Sequence, residues 1–498
     1  MLRKIRRVLA ALFVGLLTLM LLDFTGTLHA WLGWMAKVQF LPAVLALNIG
    51  VVACLILITL VFGRVYCSVI CPLGVFQDLV SWLSGKFRKN RFRYSKPLGI
   101  LRYTVLLLFV AAIVSGVGFL FVKLLAPYSA YGRMVSSLLQ PIYIGINNGL
   151  ALIAERVDSY AFYTMDVWMK SLPLLLIAVL TFVVLVVLAW RGGRTYCNTV
   201  CPVGTLLGLV SRVAWMKPVI DTEKCNGCGL CERNCKASCI YSKGHDIDYS
   251  RCVACMNCID KCKRGAIKYV PSWGLKRNCV SREASVTPND ASRRAFVLAA
   301  TTMTAGAVLK AEEKTVDGGL AEILDKKVPK RQTAILPPGA LTAKHFADHC
   351  TACQLCVAAC PNGVLRPSGS LDRFMQPELS YERGYCRPEC TRCSQVCPAG
   401  AIKPIDRETK ASTQVGHAVW VRDNCVVFTD GVSCGNCERH CPTGAIQMVP
   451  SDASNPRSHR IPVVDAERCI GCGACENLCP ARPYSAIYVE GHLATKLI

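Results

Sequence analysis

At 498 residues the chain has room for several domains. It is 52% apolar and 18% charged yet carries 31 cysteines, and the two features separate: the long apolar runs crowd before Trp190, the cysteines after it. A formal charge of +24 ordinarily suggests nucleic acid. That class is set aside because much of the charge flanks apolar runs, where it orients membrane segments, and because the count treats all 31 cysteines as neutral, whereas a thiolate carries negative charge.

Four apolar runs approach the ~20 residues needed to cross a bilayer as helix: roughly Val8–Phe24, Leu41–Gly63, Thr104–Val122 and Leu172–Trp190. The first reads as the opening span of a polytopic domain rather than a cleaved leader, since similar runs follow it. Trp31 and Trp34 mark an interface after it. A weaker stretch, Ile142–Ala154, is too short to span and is expected to lie on the bundle or the membrane surface. Arg3, Lys4, Arg6 and Arg7 precede the first run, Lys86, Arg88, Lys89, Arg91, Arg93 and Lys96 separate the second from the third, and Arg191 and Arg194 follow the fourth. The positive-inside rule therefore puts residue 1, the second loop and the exit of the fourth run in the cytoplasm. His29 is the only histidine before His245, so the runs offer no histidine pair for a haem b.

An internal repeat closes each even-numbered run. Gly63-Arg64-Val65-Tyr66-Cys67-Ser68-Val69-Ile70-Cys71-Pro72-Leu73-Gly74 matches Gly193-Arg194-Thr195-Tyr196-Cys197-Asn198-Thr199-Val200-Cys201-Pro202-Val203-Gly204. Cysteines four apart share a helical face. Two such pairs brought together by pseudo-symmetry offer Cys67, Cys71, Cys197 and Cys201 to one metal centre. The ordinary alternative is two reduced or redox-switching thiol pairs.

Past the fourth run the cysteines take ferredoxin spacing. Cys225-x2-Cys228-x2-Cys231-x3-Cys235 is followed by Cys252-x2-Cys255-x2-Cys258-x3-Cys262. In this two-cluster pattern three cysteines wrap one cubane and the fourth reaches the other. Cys225, Cys228, Cys231 and Cys262 are expected to hold one 4Fe–4S cluster, and Cys252, Cys255, Cys258 and Cys235 the second. Gly227 and Gly229 let backbone approach the sulfides. Lys236 and Lys263 stand where proline usually follows the fourth cysteine.

A feature-poor segment comes next, and inside it Ser292-Arg293-Arg294-Ala295-Phe296-Val297-Leu298 leads into the mildly apolar run Ala299–Leu309. The order is that of a twin-arginine export signal. It implies that the chain beyond about Lys310 is exported folded, with the run either kept as a fifth span or cut. The ordinary reading is a short helix in a cytoplasmic linker.

Four more cysteine runs follow. Cys350-x2-Cys353-x2-Cys356-x3-Cys360 and Cys469-x2-Cys472-x2-Cys475-x3-Cys479 are regular. Cys386-x3-Cys390-x2-Cys393-x3-Cys397 has one extra residue, and Cys425-x8-Cys434-x2-Cys437-x3-Cys441 a longer first gap. All four close on proline. Zinc explains any one four-cysteine group, but not six successive runs with a fourth cysteine at x3. Neighbour and nested pairing of these last fourth cysteines are both open. Cys54, Cys239 and Cys279 fall outside every run; Cys54 is expected to be packing in a span.

The expected fold is thus a four-helix transmembrane bundle, with 299–309 a candidate fifth span, plus α+β bacterial ferredoxin-type domains. The units are a membrane domain over 1–214, a two-cluster ferredoxin over 215–272, a linker over 273–344 holding the twin-arginine-like segment 292–309, and a four-cluster ferredoxin over 345–498. No phosphate loop or dinucleotide fingerprint is present, and no catalytic residue is assigned.

Up to about residue 270 the chain resembles the NapH family, on its four apolar runs, two Cys-x3-Cys-Pro motifs and two-cluster ferredoxin. From about residue 290 it resembles the NapG family, on the twin-arginine segment and four cluster motifs. NosR-like and methylamine-utilisation ferredoxins share these pieces. The resemblance implies a polyferredoxin of the bacterial cytoplasmic membrane that takes electrons from the quinol pool and passes them toward an exported reductase. It implies contact with lipid and quinone, residues 215–272 in the cytoplasm and 345–498 outside it. The competing classes are an electron donor in metalloenzyme assembly and a cluster-based redox sensor; a sensor needs few clusters, so six argue against it.

Overall fold

A computed structural model describes residues 2–23, 25–87, 92–116, 118–158, 162–165, 171–271 and 324–498. The twin-arginine-like segment 292–309, Cys279 and the basic residues Arg88, Lys89 and Arg91 lie outside them. Three helices are long and apolar enough to cross a membrane: Leu2–Leu22, Pro127–Glu155 and Leu172–Gly192. Each of the two 21-residue helices extends about 32 Å at 1.5 Å per residue. Their outer faces carry exposed leucines and valines such as Leu9, Leu12, Leu176, Leu180 and Val187, the surface a lipid-facing helix presents.

The fourth expected span falls inside such a helix, and the first does as far as Leu22; the second and third do not. The 41–63 run breaks after the Phe40–Leu45 helix, where Leu47 takes a left-handed backbone and Asn48 caps the next helix by accepting from the Val51 N–H. Ile49–Phe62 is left with 14 residues, about 21 Å. The third run ends at Ser115 because Gly116 and Gly118 both adopt positive φ, leaving Gly99–Ser115 with 17 residues. In the opposite direction, Ile142–Ala154 is not a short surface piece. It is continuous, through a π turn at Val135–Leu139, with the helix from Pro127, and the whole is 29 residues long. Among the described residues, three helices are thus long enough to span, and the second and third expected spans correspond to the shorter helices Ile49–Phe62 and Gly99–Ser115. Cys54 is exposed on the Ile49–Phe62 helix rather than packed within it.

Both repeat segments fold alike. Gly63 (φ 67°) and Gly193 (φ 68°) end their helices in a conformation that favours glycine. One-turn helices Val65–Val69 and Thr195–Thr199 follow, then a proline-started helix, Pro72–Phe87 or Pro202–Ser211.

The first ferredoxin unit is framed by antiparallel strands Met216–Ile220 and Ile267–Pro271. It docks where the Ile49–Phe62 helix ends and the Gly99–Ser115 helix begins. The Trp215 N–H donates to the Leu60 carbonyl (2.6 Å), the Tyr269 hydroxyl to the Phe62 carbonyl (2.7 Å) and Arg102 to the Ser250 hydroxyl (3.2 Å). The last unit holds three strand pairs, of which Thr413–Trp420 with Ile487–Leu497 is the longest. Its first half shares one apolar core with the helices, while residues 418–487 build a second. The two units meet opposite ends of the same helix: Arg3, at the start of Leu2–Leu22, pairs with Asp260, and the Thr25 carbonyl, just past its end, accepts from Arg392 (2.6 Å).

Candidate metal centres

The regular ferredoxin loops share one backbone device. In each, both residues flanking the second cysteine have positive φ: Gly227 and Gly229, Ala254 and Met256, Ala352 and Gln354, Gly471 and Gly473. An L side chain in that region costs about 1–2 kcal/mol, so the non-glycine pairs are held there by the loop around them. Such a loop turns successive N–H groups to one side, as a nest does for an anion. That suits the sulfides of a cubane.

The fourth cysteines cross over. In the first unit a cavity is lined by Cys235, Cys239, Cys252, Cys255 and Cys258, with Cys231 near Cys225 and Cys228; Cys262 lies in the apolar core that both groups share. Four quartets form in the last unit. Cys397 lies within electrostatic reach of Cys350, Cys353 and Cys356. Cys360 lines one cavity with Cys386, Cys390 and Cys393. Cys441 sits by Cys469, Cys472 and Cys475. Cys479 lines a cavity with Cys425, Cys434 and Cys437. Pairing is thus between sequence neighbours, not nested.

Burial pushes the Cys350 and Cys472 thiols up to about 12 and the Cys437 thiol to about 11. At neutral pH they are stable as thiolates only on a cationic core, which couples cluster binding to folding. A zinc tetrahedron with Zn–S near 2.3 Å brings its sulfurs within roughly 3.8 Å of one another. Among the described residues no three His, Cys, Asp or Glu side chains converge enough to hold a single metal ion.

A seventh thiol group lies inside the helix bundle. Cys67, Cys71, Cys197 and Cys201 are all buried, and Cys71 and Cys201 both feel Cys67 and Cys197. Around them is a charged shell whose meaning repeat matching alone did not reveal. Arg64 donates to the Cys197 carbonyl (3.3 Å) and lies 3.8 Å from the Cys67 sulfur; Arg194 donates to the Cys67 carbonyl (2.5 Å). Each arginine serves the other half of the repeat. Asp78 pairs with Arg194 (2.8 Å), Arg6 (3.2 Å) and Lys236 (3.2 Å), and Gln77 donates to the Cys197 sulfur (3.2 Å). Arg64 Nε and Arg194 Nη2 are buried without a partner. One carboxylate among several buried cations leaves positive charge that an anionic cluster would balance. The only hint in the sequence was the Gly-Arg that opens both repeat segments.

The groups form a series. Lys236, beside Cys235, accepts at its carbonyl from the Arg194 N–H (2.9 Å), joining the first unit to the bundle thiols. On their other side Tyr196 donates to the Leu125 carbonyl (3.0 Å) and Arg133 to the Lys123 carbonyl (2.8 Å). Gly132 then lies against the Cys353 carbonyl so closely that a Cβ would sit 2.3 Å from it. Farther out, the Cys386 N–H donates to the Cys472 carbonyl (2.9 Å).

Comparison with known proteins agrees with this division. A 4Fe-4S binding domain family matches residues 44–90 and 174–221, the two halves of the repeat. A 4Fe-4S dicluster domain family matches 349–418 and 432–482, and two further 4Fe-4S binding domain families match 215–237 and 245–268. The chain is 32% identical over 162 residues to the methylamine utilization ferredoxin-type protein MauM of Methylophilus methylotrophus, covering 32% of this chain and 71% of the relative. It is 31% identical over 182 residues to the ferredoxin-type protein NapG of Escherichia coli strain K12, covering 32% and 75%. To NapF of the same organism it is 29% identical over 183 residues, covering 36% and 99%. No solved structure matches.

Proposed function

The chain belongs to the family of ferredoxin-type iron–sulfur proteins that includes MauM and NapG, and from that premise we propose that it is a membrane-bound electron conduit whose clusters run in series from one end of the helix bundle to the other. The observation that carries this reading is the bundle site: four buried thiols lie between two ferredoxin units that meet opposite ends of one helix of about 32 Å. Electron tunnelling falls off exponentially with distance, so two units so far apart exchange electrons only through an intermediate centre.

In this reading each cubane, when bound, takes up or releases one electron; the chain's residues fix spacing and electrostatics. The order runs from Cys225, Cys228, Cys231 and Cys262 to Cys235, Cys252, Cys255 and Cys258, then to Cys67, Cys71, Cys197 and Cys201. It continues through the quartets of Cys350, Cys360, Cys441 and Cys425. The apolar helix faces suit the quinol pool as donor, and the far unit suits an exported reductase as acceptor. The test is anaerobic purification with iron analysis and a redox titration, followed by addition of a quinol to membranes. Roughly 24 irons per chain are expected from six ferredoxin cubanes, and about 28 with the bundle site filled. Zinc in place of most of that iron would overturn the cluster assignment, and clusters left oxidised by quinol would overturn the donor.

A further inference from the structure

Cys239 fits none of the cysteine runs, yet it is among the most buried thiols in the first ferredoxin unit, 2% exposed. Its sulfur lies 3.5 Å from that of Cys235, and it also hydrogen-bonds Cys252. The cavity expected to hold the second cluster of that unit is lined by five cysteines, Cys235, Cys239, Cys252, Cys255 and Cys258. A cubane has four irons and takes four thiolates.

Thiolates on neighbouring irons point away from each other along the diagonals of the cube. Two sulfurs in contact therefore do not occupy two corners, so Cys239, touching both Cys235 and Cys252, is a surplus thiol at corners already claimed; Cys235, the ligand supplied by the other run and only four residues before it, is the one it is placed to replace. Given the cluster reading above, we propose that Cys239 is an alternative fourth ligand of this cluster, exchanging with Cys235. The exchange balances without any redox partner. The iron–sulfur bond to Cys235 breaks and one to Cys239 forms, while the Cys239 thiol proton passes across the S–H···S contact to the departing Cys235 thiolate. No electron moves.

The two candidates are tethered to different parts of the molecule. Cys235 is followed by Lys236, whose amine pairs with Asp78 (3.2 Å) and whose carbonyl accepts from Arg194, so it is tied to the bundle thiols. The Cys239 carbonyl accepts from the Asp248 N–H (2.8 Å), beside the small hairpin Ile240–Tyr241 and Asp246–Ile247, within the ferredoxin unit itself. Ligation by Cys235 thus couples the cluster mechanically to the membrane site, and ligation by Cys239 releases it. The left-handed Ser238 between them (φ 50°) marks where the connecting turn is strained.

The test uses the full chain, purified anaerobically, with iron content and the electron paramagnetic resonance of the reduced and oxidised protein as readouts. Cys235→Ala and Cys239→Ala should each keep the four-iron cluster, with a changed line shape or midpoint potential in Cys235→Ala. The double variant should lose about one iron per chain and show a three-iron signal when oxidised. Cys258→Ala, which removes a ligand with no substitute, serves as the control. A three-iron signal in Cys235→Ala equal to that of the double variant would overturn the proposal, as would a double variant that retains all its iron. Should Cys258→Ala alter nothing, the cluster itself is absent, and it is the underlying reading that fails.

Discussion

Arg194 reaches across the internal repeat to donate to the backbone carbonyl of Cys67, 2.5 Å away. Arg64 makes the reciprocal bond to Cys197 at 3.3 Å. The two repeat segments are therefore clasped by exchanged arginines, and neither half completes its own thiol site. Asp78 stands at the centre of the clasp, within 3.2 Å of Arg6, Arg194 and Lys236.

Replacing that carboxylate removes the one acidic side chain that, among the described residues, pairs with these three cations. Removing one partner of a buried ion pair costs about 3–5 kcal/mol. Asp78→Asn is expected to lower the thermal midpoint of the detergent-solubilised protein, followed by the loss of cluster absorbance, and to release the first ferredoxin unit from the bundle, seen as faster proteolysis near Lys217. An unchanged midpoint would mean that water or lipid headgroups already compensate these charges.

Gly74 and Gly204 occupy equivalent places in the clasp. A Cβ on either would lie 2.3 Å from the carbonyl of Cys67 or Cys197, and 2.6 or 2.9 Å from the crossing arginine. Backbone cannot yield at that distance without moving the thiols, so Gly74→Ala and Gly204→Ala should each lower iron content by up to about four per chain. Gly15→Ala, with nothing within 4 Å, is the matched control and should behave as wild type.

What could be read from the sequence follows the range of the interactions concerned. The cysteine runs were legible because three ligands of a cubane come from a local loop, and that loop fixes their spacing. The partner of each fourth cysteine was legible only where a regular two-run pattern existed. In the last unit neighbour pairing became visible once Cys397 was found by Cys350 and Cys360 by Cys386. The helix Leu172–Gly192 was legible as an unbroken apolar run. Ile49–Phe62 was not, because the Asn48 cap divides a run that remains apolar throughout. The helix from Pro127 was missed for the opposite reason: Tyr128, Ser129 and Arg133 dilute its apolar character, yet all three are buried in the bundle. The crossed arginines depend on how two distant segments pack, which no local pattern records.

The crossover pairing makes its own prediction. Cys397→Ser should remove the same spectroscopic signal as Cys350→Ser, although Cys397 closes the run that begins at Cys386. Cys360→Ser should instead match Cys386→Ser. Grouping by run, with Cys397→Ser matching Cys386→Ser, would show that each run holds its own cluster.

The last prediction places the two ferredoxin units on opposite sides of the membrane. Arg3 pairs with Asp260 of the first unit, and Arg392 of the last unit donates to Thr25, so one apolar helix of 21 residues separates them. About 32 Å of helix is the thickness of a hydrocarbon core of ~30 Å. Other contacts repeat the division: Arg64 and Arg102 touch the first unit at Ser250, whereas Gly116 and Gly132 lie against Asp348 and Cys353 of the last. Arg3, Lys4, Arg6 and Arg7 in the first turns of Leu2–Leu22, with Arg191 and Arg194 at the end of Leu172–Gly192, gather at the end that bears the first unit, which the positive-inside rule assigns to the cytoplasm. A β-lactamase reporter, which folds without needing the oxidising exterior and protects cells from a β-lactam only when outside the cytoplasm, should therefore be active when fused after Ile498. One fused after Pro271, truncating the chain there, should be inactive. Changing Arg293 and Arg294 together to Lys should abolish the activity of the first fusion if the twin-arginine-like segment directs export. An inactive reporter after Ile498 in the unaltered chain would place both units on one side, and the helix of Leu2–Leu22 would then have to lie along the membrane instead of across it.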